Sequence, residues 1–474
     1  KNGTLQMITE EGEVFTDKTI VEFRYVLDNK KHMKWVPLRI RDDKTAKYLS
    51  NEKEYGNNYE TANSNWKMIH NPITLEMLKT GKGIPSNIET DVYYNRNNEE
   101  SQTKAMRNFH NLYVKNKLIG SVSKPGDTLI DYAVGKAGDL SKWNNAKLSF
   151  VYGIDYSEDN IENKRDGACV RYIEFRSKTK KSPDALFSVG NSVLNFKTGQ
   201  GLKTDRDKVI YNAIIGRGNK SEKQLGKGVF KNFGKGSDGF NISSCQFALH
   251  YFFEDLASIK GFIRNVSENT KLGGYFIGTC YDGNTIFKKM QGLQLGESFS
   301  VYKEDNVILE LTKQYNNDEF NSNDTSLGYA IDVLQETIGI KWREYLVNID
   351  YLVRLMETFG FKPLEKQEYE ELNLPSSIGN FNMLFNKMED EMASNSRLKY
   401  GDSHNMSDEE KEISFLNKYF IFKKNKNVDT TNVTLSVTEK IKLDEETDIV
   451  EDPDNFDKGY EKGYNNNPDE LYAK

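Results

Sequence analysis

The hydrophobic positions of the chain follow two rhythms. Between residues 14 and 41, β-branched and aromatic residues in KTIVEFRYV and KWVPLRIR, with DNKKH between them, predict a pair of strands. TANSNWKMIHNPIT (61–74) predicts a helix stopped at Pro72, and residues 80–104, rich in Gly, Asn and charge, predict a linker. From about residue 105 helix TKAMRNFHNLYVKNKLI leads into a strand at 128–134, a helix at 137–145 and a strand at 147–154. ALFSV, FNISSCQFAL and GGYFIGTC add strands between helical stretches, an alternation that implies an α/β domain with a mostly parallel sheet. Ile349, Leu352, Val353, Met356 and Phe359 keep helical spacing before Gly360, which predicts a core helix. The Gly/Lys-rich segment 196–240 predicts a long functional or mobile loop. YFIFKK (419–424) predicts a closing strand and NVTLSV one more; the remainder, with KGYEKGY and NNNPDE, reads as disordered.

Composition narrows this picture. A length of 474 residues allows two to four domains, and 37% hydrophobic content suits a soluble, polar protein with a real core. No apolar run approaches bilayer length. The first residues lack the apolar centre of a signal peptide and an initiator Met, so a piece of a longer polypeptide is expected. Asn-X-Ser/Thr triplets such as NVS (265–267) are then chance. Cys169, Cys245 and Cys280 form no CxxC pair, which argues against disulfides and zinc and for an intracellular location. The net charge of -6 weighs against nucleic acid, but its spread is uneven. DEETDIVEDPDNFD (444–457) is acidic, whereas RSKTKK (176–181) and GKGVFKNFGKG (226–236) are basic and read either as solvated loops or as holders of an RNA backbone.

Candidate chemistry begins in LIDYAVGKAGDL (129–140). Gly135 and Gly138 permit a tight turn after the strand and close approach of a ligand, and the next helix points its N-terminus at the same place. Twenty residues past Gly135, at the end of the next strand, Asp155 is placed to reach a ribose diol, with Ser157 as an N-cap. The dinucleotide fingerprint is incomplete, because Ala133 and Ala137 stand where it wants glycine. Asp139 at the helix start would repel a pyrophosphate and suits the cationic methionine end of S-adenosylmethionine. The turn therefore favours a nucleoside cofactor, with a methyl donor ahead of NAD.

The ordered blocks RNFHNLYVKNKLI, LIDYAVGKAGDLSKW, VYGIDYS, SCQFALHYFFED, GGYFIGTCYDG and REYLV over roughly 105–424 resemble messenger-RNA cap (guanine-N7) methyltransferases. Upstream, IVEFRY and WVPLRIRDDKT resemble the closing oligonucleotide-binding subdomain of a capping guanylyltransferase, in the order of large-DNA-virus capping enzymes. The resemblance implies a class I S-adenosylmethionine-dependent methyltransferase fold, Rossmann-like and preceded by a partial OB-type β segment. Its boundaries would be 1–60 for the guanylyltransferase end, 61–104 for a helix and linker, 105–424 for the methyltransferase and 425–474 for an acidic tail. It also implies upstream triphosphatase and guanylyltransferase domains in the same polypeptide, capped RNA as partner, and a host-cytoplasmic or virion location. A stimulatory subunit stays open.

By resemblance, Lys115, Ala133, Gly135, Asp139, Asp155, Asn191, Ser192 and Gln246 hold the cofactor, with Lys115 near its methionine end and Asn191 and Ser192 beside adenine. Asn111, Phe247, His250, Tyr251, Tyr281, Glu344 and Tyr419 line the cap pocket, with Glu344 reading the guanine edge. Arg39, Arg41, Asp43 and Lys44 match the guanylyltransferase motif that contacts GTP phosphates. The residue types suit these roles. Aromatic rings stack on a base, a carboxylate accepts from guanine N1–H and its amine, and His250 can bond the carbonyl oxygen or a phosphate. Guanine N7 carries a lone pair and no proton, so alignment and electrostatics suffice, and no residue is expected in an acid–base role.

Val134, Ala137, Asn191 and Tyr281 depart from the family pattern, Tyr281 standing for a proline of the guanine pocket. KRDG (164–167) matches the nucleotidyl-transfer motif KxDG, but it lies inside the methyltransferase pattern and after the OB-type piece, so it is read as a decoy. Two other readings remain: a non-catalytic cap- or RNA-binding module on this fold, and an enzyme acting on another substrate.

Overall fold

The structure is a computed structural model that describes residues 7–26, 34–52, 55–57, 59–70, 101–179, 181–336 and 341–434. The DNKKH turn, most of the 80–104 linker and the acidic tail lie outside the described residues. The chain divides into two units, Lys1–Glu89 and Thr90–Lys474.

In the first unit, β1 (Met7–Ile8) pairs with β2 (Val14–Phe15), and β3 (Val21–Tyr25) with β4 (Trp35–Ile40), both antiparallel. Helices Asp42–Leu49 and Tyr59–His70 follow. The predicted strand pair and helix are therefore present. An OB-type barrel closes five strands, whereas the described strands form two separate pairs, so the OB-type reading is not confirmed.

The second unit is built on a long sheet. Its strands are β5 (Thr128–Asp131), β6 (Phe150–Asp155), β7 (Asp184–Val189), β8 (Phe240–Gln246), β9 (Thr270–Tyr281), β14 (Phe361–Pro363), β15 (Ile378–Asn380) and β16 (Asn417–Lys424). The spatial order is β14-β16-β9-β8-β5-β6-β7, with β15 also on β16. β5 to β9 run parallel, and β16 inserts antiparallel beside β9. This is the mostly parallel Rossmann-like sheet expected, with the order reversing at β5, where a ligand crevice opens at the strands' C-terminal ends.

Alternation along buried strands sends neighbouring side chains to opposite faces. Leu129, Val151, Ile277 and Ile421 join one apolar core; Ile130, Tyr152, Phe276 and Phe422 join the other. The first core is covered by helices over 104–122 and 381–394, the second by helices over 205–214, 256–269 and 349–358. A separate antiparallel meander, β10 (Ser298–Lys303), β11 (Asn306–Lys313), β12 (Ala330–Gln335) and β13 (Trp342–Tyr345), packs its apolar face into the first core.

Three expectations need correction. The 196–240 segment carries three helices, Asp205–Ile214, Glu222–Leu225 and Lys227–Lys231. A reciprocal Thr204–Asp207 capping box starts the first, and Ile210, Tyr211 and Ile214 anchor it in the core. The start of NVTLSV is helical to residue 434 rather than a strand, held where Thr430 donates to Glu268 at 2.6 Å. Finally, the helix over 104–122 contains a π-helical stretch, Phe109–Val114.

Candidate active site

The crevice is organised by the loop after β5. Gly135 takes φ +54°, and the space beside its Cα is open. Its N–H donates to Asp155 Oδ2 at 2.7 Å. Asp155 Oδ1 accepts from the Ser157 N–H at 3.0 Å and from Asn160 Nδ2 at 2.9 Å. The carboxylate thus ties the β5 and β6 turns together, and burial raises it above the usual range despite these donors. Ala137 also adopts a left-handed φ of +53°, a conformation that costs a residue with a Cβ about 1–2 kcal/mol. Val134 fills the space over Gly153, where any Cβ would meet it at 2.8 Å. Lys136 in this loop pairs with Asp159 at 3.2 Å and with Asp166 of the KRDG segment at 2.9 Å.

At the helix end of the loop, Asp139 lies between Lys142 (3.0 Å) and Lys115 (3.3 Å). Burial pushes its carboxyl up, but the two ammoniums outweigh that and hold it below the usual range. Lys115 also sits 5.6 Å from the Phe247 ring centre, and the His110 ring stacks on Phe247 at 5.3 Å. Ala133 donates to Asp131 Oδ1 at 3.2 Å. Burial, and then the Asp139 charge, push Asp131 up to about 7. After β7, Ser192 donates to the Tyr132 carbonyl at 2.8 Å and Asn191 accepts from Val193 N–H at 3.0 Å.

The turn after β8 supplies the second half. Phe247 has φ +55°, a strained value for an aromatic residue. Its N–H donates to both the carbonyl and the hydroxyl oxygen of Thr279, each at 3.0 Å, while that hydroxyl donates to Gln246 Oε1 at 3.3 Å. Three residues on, His250 Nε2 lies 3.5 Å from Glu344 Oε2, and each residue is only 4% exposed. Among the described residues, both His250 nitrogens and Glu344 Oε2 lack hydrogen-bond partners. Burial pushes Glu344 up to about 8 and His250 down to about 3, in both cases toward the uncharged form. The Tyr251 ring lies edge-on to His250 at 4.3 Å and the Tyr281 ring at 6.4 Å, with Gln335 donating to the Tyr281 hydroxyl.

The structure thus brings Lys115, Gly135, Asp139 and Asp155 to one loop system and His250, Tyr251, Tyr281 and Glu344 to one pocket, with Phe247 joined to the first through Lys115. Asn111 lies on the π-helical stretch and bonds the Arg107 carbonyl at 3.0 Å. Tyr419 is fully buried in the first core, its hydroxyl 2.6 Å from Ser376 Oγ, and it has no ring contact or hydrogen bond with the His250–Glu344 pocket. In the first unit, Arg39 pairs with Glu22 at 3.0 Å and Arg41 with Asp43 at 3.1 Å, so these guanidiniums already have acidic partners. Sequence reasoning missed His110, Asp131 and Thr279. Only Asp131 carried a signal, as the carboxylate closing the strand before the glycine turn. Among the described residues, no group of three or more His, Cys, Asp or Glu is arranged to hold a metal, and no helix is long and apolar enough to cross a membrane.

The loop fits S-adenosylmethionine: open space at Gly135 admits a ligand against the backbone, Asp155 keeps acceptor capacity for a diol, and Asp139 presents negative charge. A family model described as the mRNA (guanine-N(7))-methyltransferase domain matches residues 87–425. A protein of Acanthamoeba polyphaga mimivirus called "Probable mRNA-capping enzyme" is 27% identical over 90% of this chain and 38% of its own length. The mRNA cap guanine-N(7) methyltransferase 1 of Arabidopsis thaliana is 31% identical over 40% of this chain and 43% of its own. The chain therefore spans well under half the length of either relative. Among solved structures, a S-adenosylmethionine-dependent methyltransferase from Clostridium acetobutylicum aligns over 69% of this chain and 94% of its own, at 12% identity and a TM-score of 0.33.

Proposed function

The chain belongs to the mRNA (guanine-N(7))-methyltransferase domain family, and from that premise we propose that it methylates N7 of the terminal guanine of GpppN-RNA. S-adenosylmethionine, when bound, supplies an electrophilic methyl on a sulfonium. Gly135, Asp155 and the Asp139–Lys115 pair orient it, with Asn191, Ser192 and Gln246 along its length. Phe247, with its backbone fixed by the Thr279 bonds, supplies a face for the guanine. Glu344 accepts from N1–H and the exocyclic amine, and His250 meets the carbonyl oxygen. N7 needs no base, so these residues act by alignment and field.

The observation that carries this reading is the orphaned pair His250 and Glu344. A buried polar atom without a partner costs about 1–3 kcal/mol, and a guanine edge would satisfy both side chains at once. Binding would also draw Glu344, pushed up to about 8, into its carboxylate form. Residues 1–60 would close an upstream guanylyltransferase, and Arg39 and Arg41 would reach phosphates only by exchanging Glu22 and Asp43. The test is incubation with labelled S-adenosylmethionine and GpppG-RNA. Label on the guanine is expected, and Glu344→Ala should lose it while still binding the methyl donor. Donor binding with no transfer by the unaltered chain would overturn the proposal in favour of a cap-binding module.

A further inference from the structure

A second cavity, of about 550 Å³, opens at the other ends of the same strands. It lies where β8 and β9 begin and β16 ends, whereas Gln246 and Tyr281 close β8 and β9 at the crevice. The seven residues of β8 separate the two by about 20 Å at 3.3 Å per residue. The basic stretch 226–236 noted in the sequence runs directly into the loop, residues 236–239, that forms one wall.

Lys197, Arg217, Lys271 and Lys424 line this cavity against Glu268 and Asp238. The Glu268 charge is already met, by Arg264 at 2.8 Å and the Thr430 hydroxyl at 2.6 Å, with Lys197 at 3.9 Å. Lys424, 5% exposed, donates to the carbonyls of Ser267 and Thr270, each at 2.7 Å, at the C-terminal end of helix Leu256–Asn269. An ammonium has three N–H groups, and the third has no partner among the described residues. Burial, and then the Lys197 charge, push Lys424 down to about 8, so an anion here would relieve it. Among the described residues, the Arg217 guanidinium donates only to the Lys197 carbonyl, at 3.3 Å. The Lys271 side chain has no hydrogen bond or ion pair among the described residues. No aromatic ring lines the cavity, so it offers charge and donors but no platform on which a base could stack.

We propose that this cavity binds phosphodiester groups of the RNA chain beyond the cap. The assignment rests on the reading of the chain as a cap methyltransferase, whose substrate is a long polyanion. Cations without stacking surface grip the backbone and ignore sequence. The cavity and the crevice lie at opposite ends of the same strands, so a cap dinucleotide seated in the crevice leaves the cavity to the longer chain of a transcript.

The test uses the full chain with Arg217→Glu and Lys271→Glu combined, both at the cavity mouth and outside the cap and cofactor residues. Affinity for long uncapped single-stranded RNA should fall about tenfold, and the slope of log affinity against log salt should become shallower by about 1.4, for two lost phosphate contacts. The KM for long capped RNA should rise in step, while kcat and KM for GpppG stay unchanged, which also shows that the fold is intact. Unchanged RNA affinity and salt slope would overturn the proposal, as would equal loss on GpppG. Binding of inorganic pyrophosphate that the double variant abolishes, with RNA affinity unmoved, would overturn it in favour of a free-phosphate site. If the unaltered chain methylates nothing, the functional reading fails, yet the RNA-binding comparison still reports on the cavity.

Discussion

Asp155 and Glu344 are both buried carboxyls beside the crevice, and they are treated in opposite ways. Asp155 accepts three protein hydrogen bonds, two of them from backbone, and so the cofactor side is assembled before any ligand arrives. Among the described residues Glu344 Oε2 and its neighbour His250 have none, and burial favours the uncharged form of both. One half of the site is completed by the chain itself. The other half carries a stability cost, which on the proposed function a bound guanine would offset.

The comparison breaks most visibly at Asp155. Asp155→Ala orphans the donors of Gly135, Ser157 and Asn160, so methyl-donor affinity measured by calorimetry should fall at least about 100-fold, with thermal stability down by about 2–4 kcal/mol. Retention of donor affinity within tenfold would mean the loop does not depend on this carboxylate. Glu344→Leu should abolish transfer, yet stabilise the chain by about 1–3 kcal/mol in denaturant unfolding, because an unpaired buried acid is replaced by apolar bulk. Thr279→Val removes the hydroxyl that holds the Phe247 turn and should raise the KM for a cap dinucleotide about tenfold, with donor binding intact; Thr279→Ser should restore it. The last test concerns pH. Glu344 is raised in the folded state from 4.5 to about 8, so the folded chain holds that proton more tightly. Its contribution is full below about pH 4.5 and is lost as pH rises toward 8. The stability gap between Glu344→Leu and the unaltered chain should therefore widen from pH 5 to 8, and a pH-independent gap would show that Glu344 stays ionised throughout.

The cofactor half was legible in the sequence because its determinants are local. Strand, glycine turn, helix start and Asp155 fall within one βαβ stretch, where spacing alone fixes geometry. The other half depends on tertiary placement. Glu344 rides on β13 in the antiparallel meander, whose alternating pattern identifies a two-faced sheet but not where that sheet docks. The helix after Thr204 carried a capping signal that the glycine and lysine content of its surroundings obscured. Val433 and Thr434 are β-formers by propensity, yet they lie in a helix, where Thr430 bonds to half-buried Glu268. Tyr419 shows the reverse: its family position was recognisable, but only the strand register places its ring in the core under the sheet.

The π-helical stretch Phe109–Val114 has a consequence for how this chain should be compared with its relatives. A π turn takes in one residue more than an α turn, so everything after it is rotated by about 100° relative to an uninterrupted helix. Lys115 and Asn111 owe their angular phase to that extra residue. Deleting one residue between 109 and 114 would leave composition and amphipathic content nearly unchanged while turning the Lys115 ammonium away from Asp139. In an alignment the feature would register as a gap of one, not as a substitution, and counting identities through it would score as conserved a lysine that faces the wrong way.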